Sequence, residues 1–482
     1  MKKHKLFYLL TSLTKPEANR FKKYVSYPLF NTNPKVIVLV DFLTKQLGKY
    51  SKEEYEALRA KAYQKVFQKK EVNPLSIRRL LSATQLLLND FLIIEELKLE
   101  KKQGKELLKK SFQRRKLTDF YNALLEQKRQ DLEKSPTQDF YFYQENVRLR
   151  YDFYYHAGSN KYAEKDPLSA LVYLHQDLDV AYLMEKLHYA CQVAVIKLFT
   201  GLSKEIIFLD KALEMASDPI FKENELMQLY LHLLELLQNI TEEGYKEVKK
   251  ELFHCLPKLS KDLQLHLFAL LLNLSWLAVD KNRQSEVLFN LYQYGLKEGV
   301  LVVNGNIEAP HFNNIVDIGC GLGKFEEVRN FIKEYLRYLD VGEDLLENVK
   351  NLFEAFLYFG EGRYQKTLQK LNYLEFKDIS YGFRAYSLMI KSIYETKKGK
   401  GFKEIDAHSE TFKQYIKRKY KQGYFSNRVR EENLNFIKIA CQLPFASKSK
   451  YAKINTDTLM KKLEGMQNVV GRTWLIQKIE EI

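Results

Sequence analysis

Three glycines, Gly319, Gly321 and Gly323, alternate with Cys320 and Leu322 inside the stretch NNIVDIGCGLGKFEEV (313–328). Glycines so spaced let backbone N–H groups approach a polar or anionic ligand, while an acidic residue further on can hold sugar hydroxyls. Asp340, 21 residues after Gly319, has the type and distance for that second role. Other chemistry-bearing residues are sparse. Gly323-Lys324 and Gly399-Lys400 lack the hydroxyl residue and spacing of a phosphate loop. His254-Cys255, and His188 with Cys191, are fragments of a metal-ligand pattern that finds no continuation. No H-e-x-x-H zinc motif or nucleophile elbow occurs, so no catalytic, cofactor-binding or metal-ligating set is expected, and the chain does not read as an enzyme.

The segment 316–323 resembles the first motif of S-adenosylmethionine-dependent methyltransferases. That resemblance implies a buried strand before the glycines and a second strand ending near Asp340. The surrounding residues point elsewhere. Phe325, Val328, Ile332, Tyr335 and Leu339 keep a helical period up to Asp340, and Phe312, Ile315, Gly319 and Leu322 suit one helix face. The corner also repeats. Gly321-Leu322-Gly323-Lys324-Phe325 returns as Gly360-Glu361-Gly362-Arg363-Tyr364 and as Gly399-Lys400-Gly401-Phe402, with the glycine pairs 39 residues apart both times. In the second copy Phe356 and Tyr358 stand where the first has Asp317 and Gly319. The stretch therefore reads as a turn between two packed helices, with Asp317 and Gly319 left unexplained.

Earlier turns, Asp280-Lys281-Asn282 and Glu243-Gly244-Tyr245, extend the series backwards, and each turn precedes a helical pattern such as GYKEVKKELF, RQSEVLFNLY or RYQKTLQKLNYL. The corner followed by an aromatic resembles tetratricopeptide repeats, best in 324–328 and 363–368 and over roughly 240–420 as a whole. The period is longer than the usual ~34 residues, and Val328 and Thr367 occupy positions where alanine is typical. The resemblance implies an α-solenoid of antiparallel helix pairs that binds a protein or peptide. The stretches FKKYVSYPLFNTNPKVIVLVDFL, RRLLSATQLLLNDFL and NLNFIKIACQLPF are further similar to an uncharacterised bacterial family of helical proteins, which brings no activity with it.

The elements that would position these residues are helices throughout. Thr14-Lys15-Pro16-Glu17 and Ser51-Lys52-Glu53-Glu54 read as capping boxes. Asn33-Pro34, Asn73-Pro74 and Ser135-Pro136 place a capping side chain before a proline suited to a first helical turn. Leu80, Leu81, Thr84, Leu87, Leu88 and Phe91 recur at helical spacing, and no alternating strand pattern competes. The expected fold is all-α: a basic helical module over 1–136, tetratricopeptide-like repeats over 137–443, and capping helices over 444–482.

With 45 % apolar residues and only 10 prolines, the 482-residue chain is long and apolar enough for an extended core. Four scattered cysteines suggest a reducing compartment, and the run 265–279, broken by His266 and Asn273, is short for a membrane span. A cytoplasmic location is expected. The net charge of +16 is uneven: +14 over 1–140, −9 over 141–380 and +11 over 381–482.

Two features could carry binding. In the aromatic helix 139–158, Phe140, Tyr143, Val147, Tyr151 and Tyr154 share a stripe that reads as core, or as a groove in which Tyr143, Tyr151 and Tyr154 meet a peptide. In 416–430, Lys417, Arg418, Lys419, Lys421, Arg428 and Arg430 surround Tyr420, Tyr424 and Phe425. That interleaving suits a nucleic-acid backbone with stacked bases, or equally a solvated helix end. The N-terminal basic run 101–116 adds to either reading. The leading expectation is a non-catalytic scaffold with a protein or peptide partner. The alternative is RNA or DNA association through the basic ends.

Overall fold

Helices begin where short polar side chains meet orphan N–H groups. Thr14 Oγ1 accepts from the Glu17 N–H at 3.4 Å, while the Glu17 carboxylate accepts from the Thr14 N–H at 2.7 Å, and the helix Lys15–Ser26 follows. Asn73 Oδ1 accepts from Leu75 and Ser76 N–H groups at 3.1 and 3.0 Å to open Pro74–Leu99. Asn33 does the same for Pro34–Gln46. Ser135-Pro136 departs from expectation. Ser135 accepts only from the Thr137 N–H, and the helix opens later, at Phe140. There Asp139, 1 % exposed, takes over because its two oxygens serve two segments: Oδ1 accepts from Phe142 N–H and Oδ2 from Ser260 N–H.

The computed structural model describes residues 5–46, 55–155, 167–202, 204–339, 341–372, 374, 379–397, 402–446 and 452–482. The capping box at 51–54, Asp340 and the glycines Gly399 and Gly401 lie outside them. The described residues are all-α, with two isolated bridges, Val303 to Asn306 and Ile307 to Leu339, as their only β-type pairing. None of the described helices is long and apolar enough to cross a membrane.

The chain divides into two compact units, Met1–Lys134 with Leu149–Leu171, and Ser135–Arg148 with Val172–Ile482. In the first, Phe7, Phe21, Leu39, Leu43, Leu58, Leu88 and Phe91 form one core, and Arg20 pairs with Glu95 at 2.5 Å above it. Thr84 and Leu80 lie on the buried face of Pro74–Leu99, as their spacing requires. A smaller cluster gathers Tyr121, Leu125 and Leu149. Each fully buried side chain of this kind contributes about 1.5–3 kcal/mol relative to exposure.

In the second unit successive helices pack against their neighbours in chain order. Glu225–Gln238 meets Glu242–Cys255, Lys261–Ala278 meets Lys281–Lys297, and Ala309–Gly321 meets Phe325–Tyr335. Glu343–Gly360 then meets Tyr364–Leu371, and Ile379–Thr396 meets Phe402–Lys421. A helix that cannot bury its apolar face alone does so against the next, which gives one core from Phe140 to Leu388 and a second from Phe383 to Ile479. Gly244 differs from the sequence reading. It sits inside the first turn of Glu242–Cys255, where its N–H meets the Thr241 hydroxyl, and the turn lies before Thr241.

Candidate functional site

The glycine stretch that opened the sequence question is helical. Ala309–Gly321 is an α-helix, so the strand that a cofactor loop needs before its glycines is not there. Gly323 takes φ +73° and ends the helix with two carbonyl-capping bonds, Lys324 N–H to Gly319 O at 2.9 Å and Gly323 N–H to Cys320 O at 3.2 Å. Gly362, at φ +74°, repeats this with Arg363 to Tyr358 O at 2.8 Å and Gly362 to Phe359 O at 3.0 Å. A third corner escaped the sequence reading because it carries a single glycine. Gly423 has φ +74°, donates to Tyr420 O, and is followed by Tyr424 donating to Lys419 O at 3.4 Å.

Both unexplained residues acquire a place. A Cβ on Gly319 would overlap Val328 Cγ2 and stand 2.7 Å from Phe289 Cε2, so the bare backbone admits two neighbouring helices. Asp317 Oδ1 pairs with an Arg384 terminal nitrogen at 2.5 Å, and the same guanidinium lies 4.8 Å from the centre of the Phe356 ring. Phe356 is the second-copy counterpart of Asp317. The two equivalent positions thus hold one arginine, one by charge and one by its ring face.

The aromatic helix, Phe140–Tyr155, does not present one continuous stripe. Phe140 is fully buried and Tyr143 half-buried in the second unit, whereas Tyr151 and Tyr154 belong to the first and are 54 % and 40 % exposed. Tyr151 and Tyr154 pack on Tyr155 at ring distances of 4.5 and 4.8 Å. Tyr143 alone lines a cleft of about 520 Å³, with Gln138, Gln176, Asp179, Phe221, Glu223 and Asn224. Burial raises the Tyr143 hydroxyl above its usual value, the Asp177 charge adds to this, and the Asn224 side chain opposes it. Glu225 on the same wall is held by Lys258 and, at 3.2 Å, by His254. Asp179 and Glu223 have no ion-pair partner among the described residues. The cleft wall is therefore net acidic, with two aromatic rings beside it. Sequence spacing could not find it, because Tyr143, Asp179 and Glu223 come from separate segments that line one cleft only in the fold.

The basic segment is brought together at one corner. Lys417, Arg418, Lys419, Tyr420 and Lys421 close the helix Phe402–Lys421, and Arg428 and Arg430 open Asn427–Ala440. Three of its six cations meet rings. Lys419 Nζ is 5.1 Å from the Tyr424 ring centre, Arg430 is 4.9 Å from that of Tyr420, and Arg418 is 5.7 Å from that of Tyr415. Arg428 has a carboxylate, Glu432, at 2.9 Å, and Arg430 meets the Asn427 side chain.

His188 and the four cysteines are buried or half-buried. His188 is 1 % exposed, 3.4 Å from the Tyr230 hydroxyl, and burial with the neighbouring His266 lowers it to about 4. Burial pushes the Cys255 thiol up to about 11 and that of Cys320 up to about 12. All four cysteines are free, and no group of three or more His, Cys, Asp or Glu suited to a metal occurs among the described residues.

Comparison of the chain with protein-family models, curated proteins and solved structures finds no match. Any functional reading rests on the chain's own residues.

Proposed function

We propose that this chain is a non-catalytic adaptor whose second unit binds a protein or peptide, and that the cleft beside Tyr143 receives a basic side chain of that partner. The observation that supports it is the make-up of the cleft. A volume of about 520 Å³ accommodates a guanidinium or ammonium group with its stem. Asp179 and Glu223 supply uncommitted carboxylates, and the Tyr143 and Phe221 rings offer π-faces to a cation. The acidic balance of residues 141–380 favours encounter with a basic segment. A tetratricopeptide-like reading of the helix pairs fits this role, since stacked hairpins expose a long, rigid face to extended peptides. A reducing, cytoplasmic setting belongs to the same reading.

The test is equilibrium binding of the full chain to a labelled arginine-rich peptide and to a matched peptide with glutamate in place of arginine. Saturable binding of the first alone supports the proposal; equal binding of both, or of neither, removes it.

A further inference from the structure

We infer that the corner between Phe402–Lys421 and Asn427–Ala440 is a binding surface for single-stranded nucleic acid. This goes beyond the peptide-binding reading and uses a different part of the second unit.

The first argument is electrostatic. Lys417 and Lys421 are exposed and have no ion-pair partner among the described residues. Cations at the end of Phe402–Lys421 complement that helix's dipole, which would be a sufficient reason for them alone. Arg428 and Arg430 break that explanation. They stand in the first turn or so of Asn427–Ala440, where the dipole disfavours positive charge; Glu432 offsets Arg428 at 2.9 Å, whereas Arg430 has no ion-pair partner among the described residues. The corner thus concentrates cations from two helix ends, one of them against local preference.

The second argument is the rings. Tyr424 is 61 % exposed at the tip of the corner, held by the left-handed Gly423 and the Lys419 carbonyl, with the Lys419 amine over its face. A solvent-facing ring with a lysine amine over one face provides a base-stacking platform beside phosphate contacts. A duplex hides its base faces and would gain nothing from Tyr424.

The test measures fluorescence anisotropy of a labelled oligothymidylate of about 20 nucleotides with the full chain over a range of salt. The logarithm of the association constant should fall with log salt at a slope of about −3, as expected for four or five phosphate contacts. Lys417→Glu with Lys421→Glu should make that slope shallower by about 1.4. Tyr424→Ala should weaken binding roughly tenfold and leave the slope unchanged. All three positions are exposed, so unaltered circular dichroism verifies folding. The inference is overturned if these variants bind like the wild type, or if a duplex of equal length binds as tightly as the single strand. Capture by anionic phosphatidylserine vesicles without oligonucleotide binding would overturn it as well.

Discussion

Gly319 and Val328 share one space: the side chain that the first lacks is where Cγ2 of the second sits, with Phe289 closing the other side. Glycine inside a helix costs about 1 kcal/mol relative to alanine, so a packing gain must offset it. Gly319→Ala is therefore expected to destabilise the protein by about 1–3 kcal/mol despite its better helix propensity. Adding Val328→Ala should return part of that loss, since Phe289 still crowds the site. Denaturant unfolding of the two single variants and the double gives the coupling energy. A Gly319→Ala protein as stable as the wild type would mean that the two helices are not so closely apposed.

The C-terminal helix Arg472–Glu480 is fastened by one carboxylate. Glu395 accepts from Trp474 Nε1 at 2.8 Å and pairs with Lys478 at 3.0 Å, and both charged side chains are largely buried. Burial alone would lower the Lys478 amine, but hydrogen bonds to Glu481 and Glu395 hold it above its usual value. Glu395→Ala leaves the amine with Glu481 alone and should cost about 3 kcal/mol. Hydrogen exchange should report it as faster exchange in 472–480, with the first unit unaffected. Unchanged protection of those amides would show that apolar contacts hold the helix without the ion pair.

His188 makes stability depend on pH. Its folded value, about 4, lies below the unfolded value near 6.5, so the unfolded chain binds more protons between the two. The contribution is complete above the unfolded value and is lost as the pH falls from there through 4. It reaches up to about 3 kcal/mol. Carboxylates also titrate in acid, so the quantity to read is the difference between wild type and His188→Gln, which cannot take up the proton. The variant's stability should fall less steeply between pH 6.5 and 4 than the wild type's; parallel curves would place the His188 proton elsewhere.

Local chemistry was readable in the sequence wherever one short segment decides the outcome. The Thr14 box, the Asn73 cap and the left-handed Gly323 and Gly362 need only their immediate neighbours, and helical spacing found the buried face of Pro74–Leu99. Partners distant in sequence were not readable. Asp317 reaches Arg384, and Gly319 is a glycine because of Phe289 and Val328. Tyr143, Tyr151 and Tyr154 have the spacing of one stripe, yet only Tyr143 lines the acidic cleft, because the helix is shared between two separately packed units. Ser135-Pro136 had every local mark of a helix start and lost to Asp139, whose second oxygen serves the distant Ser260 N–H.

The most direct test of the peptide-binding role removes the two uncommitted carboxylates of the cleft. Asp179→Asn with Glu223→Gln keeps size and hydrogen-bonding capacity while abolishing both charges. In calorimetric titration with an arginine-rich peptide, the double variant should bind roughly tenfold more weakly than the wild type, about 1.4 kcal/mol, at unchanged thermal stability. Equal affinities would contradict the assignment of the Tyr143 cleft as the site for a basic side chain.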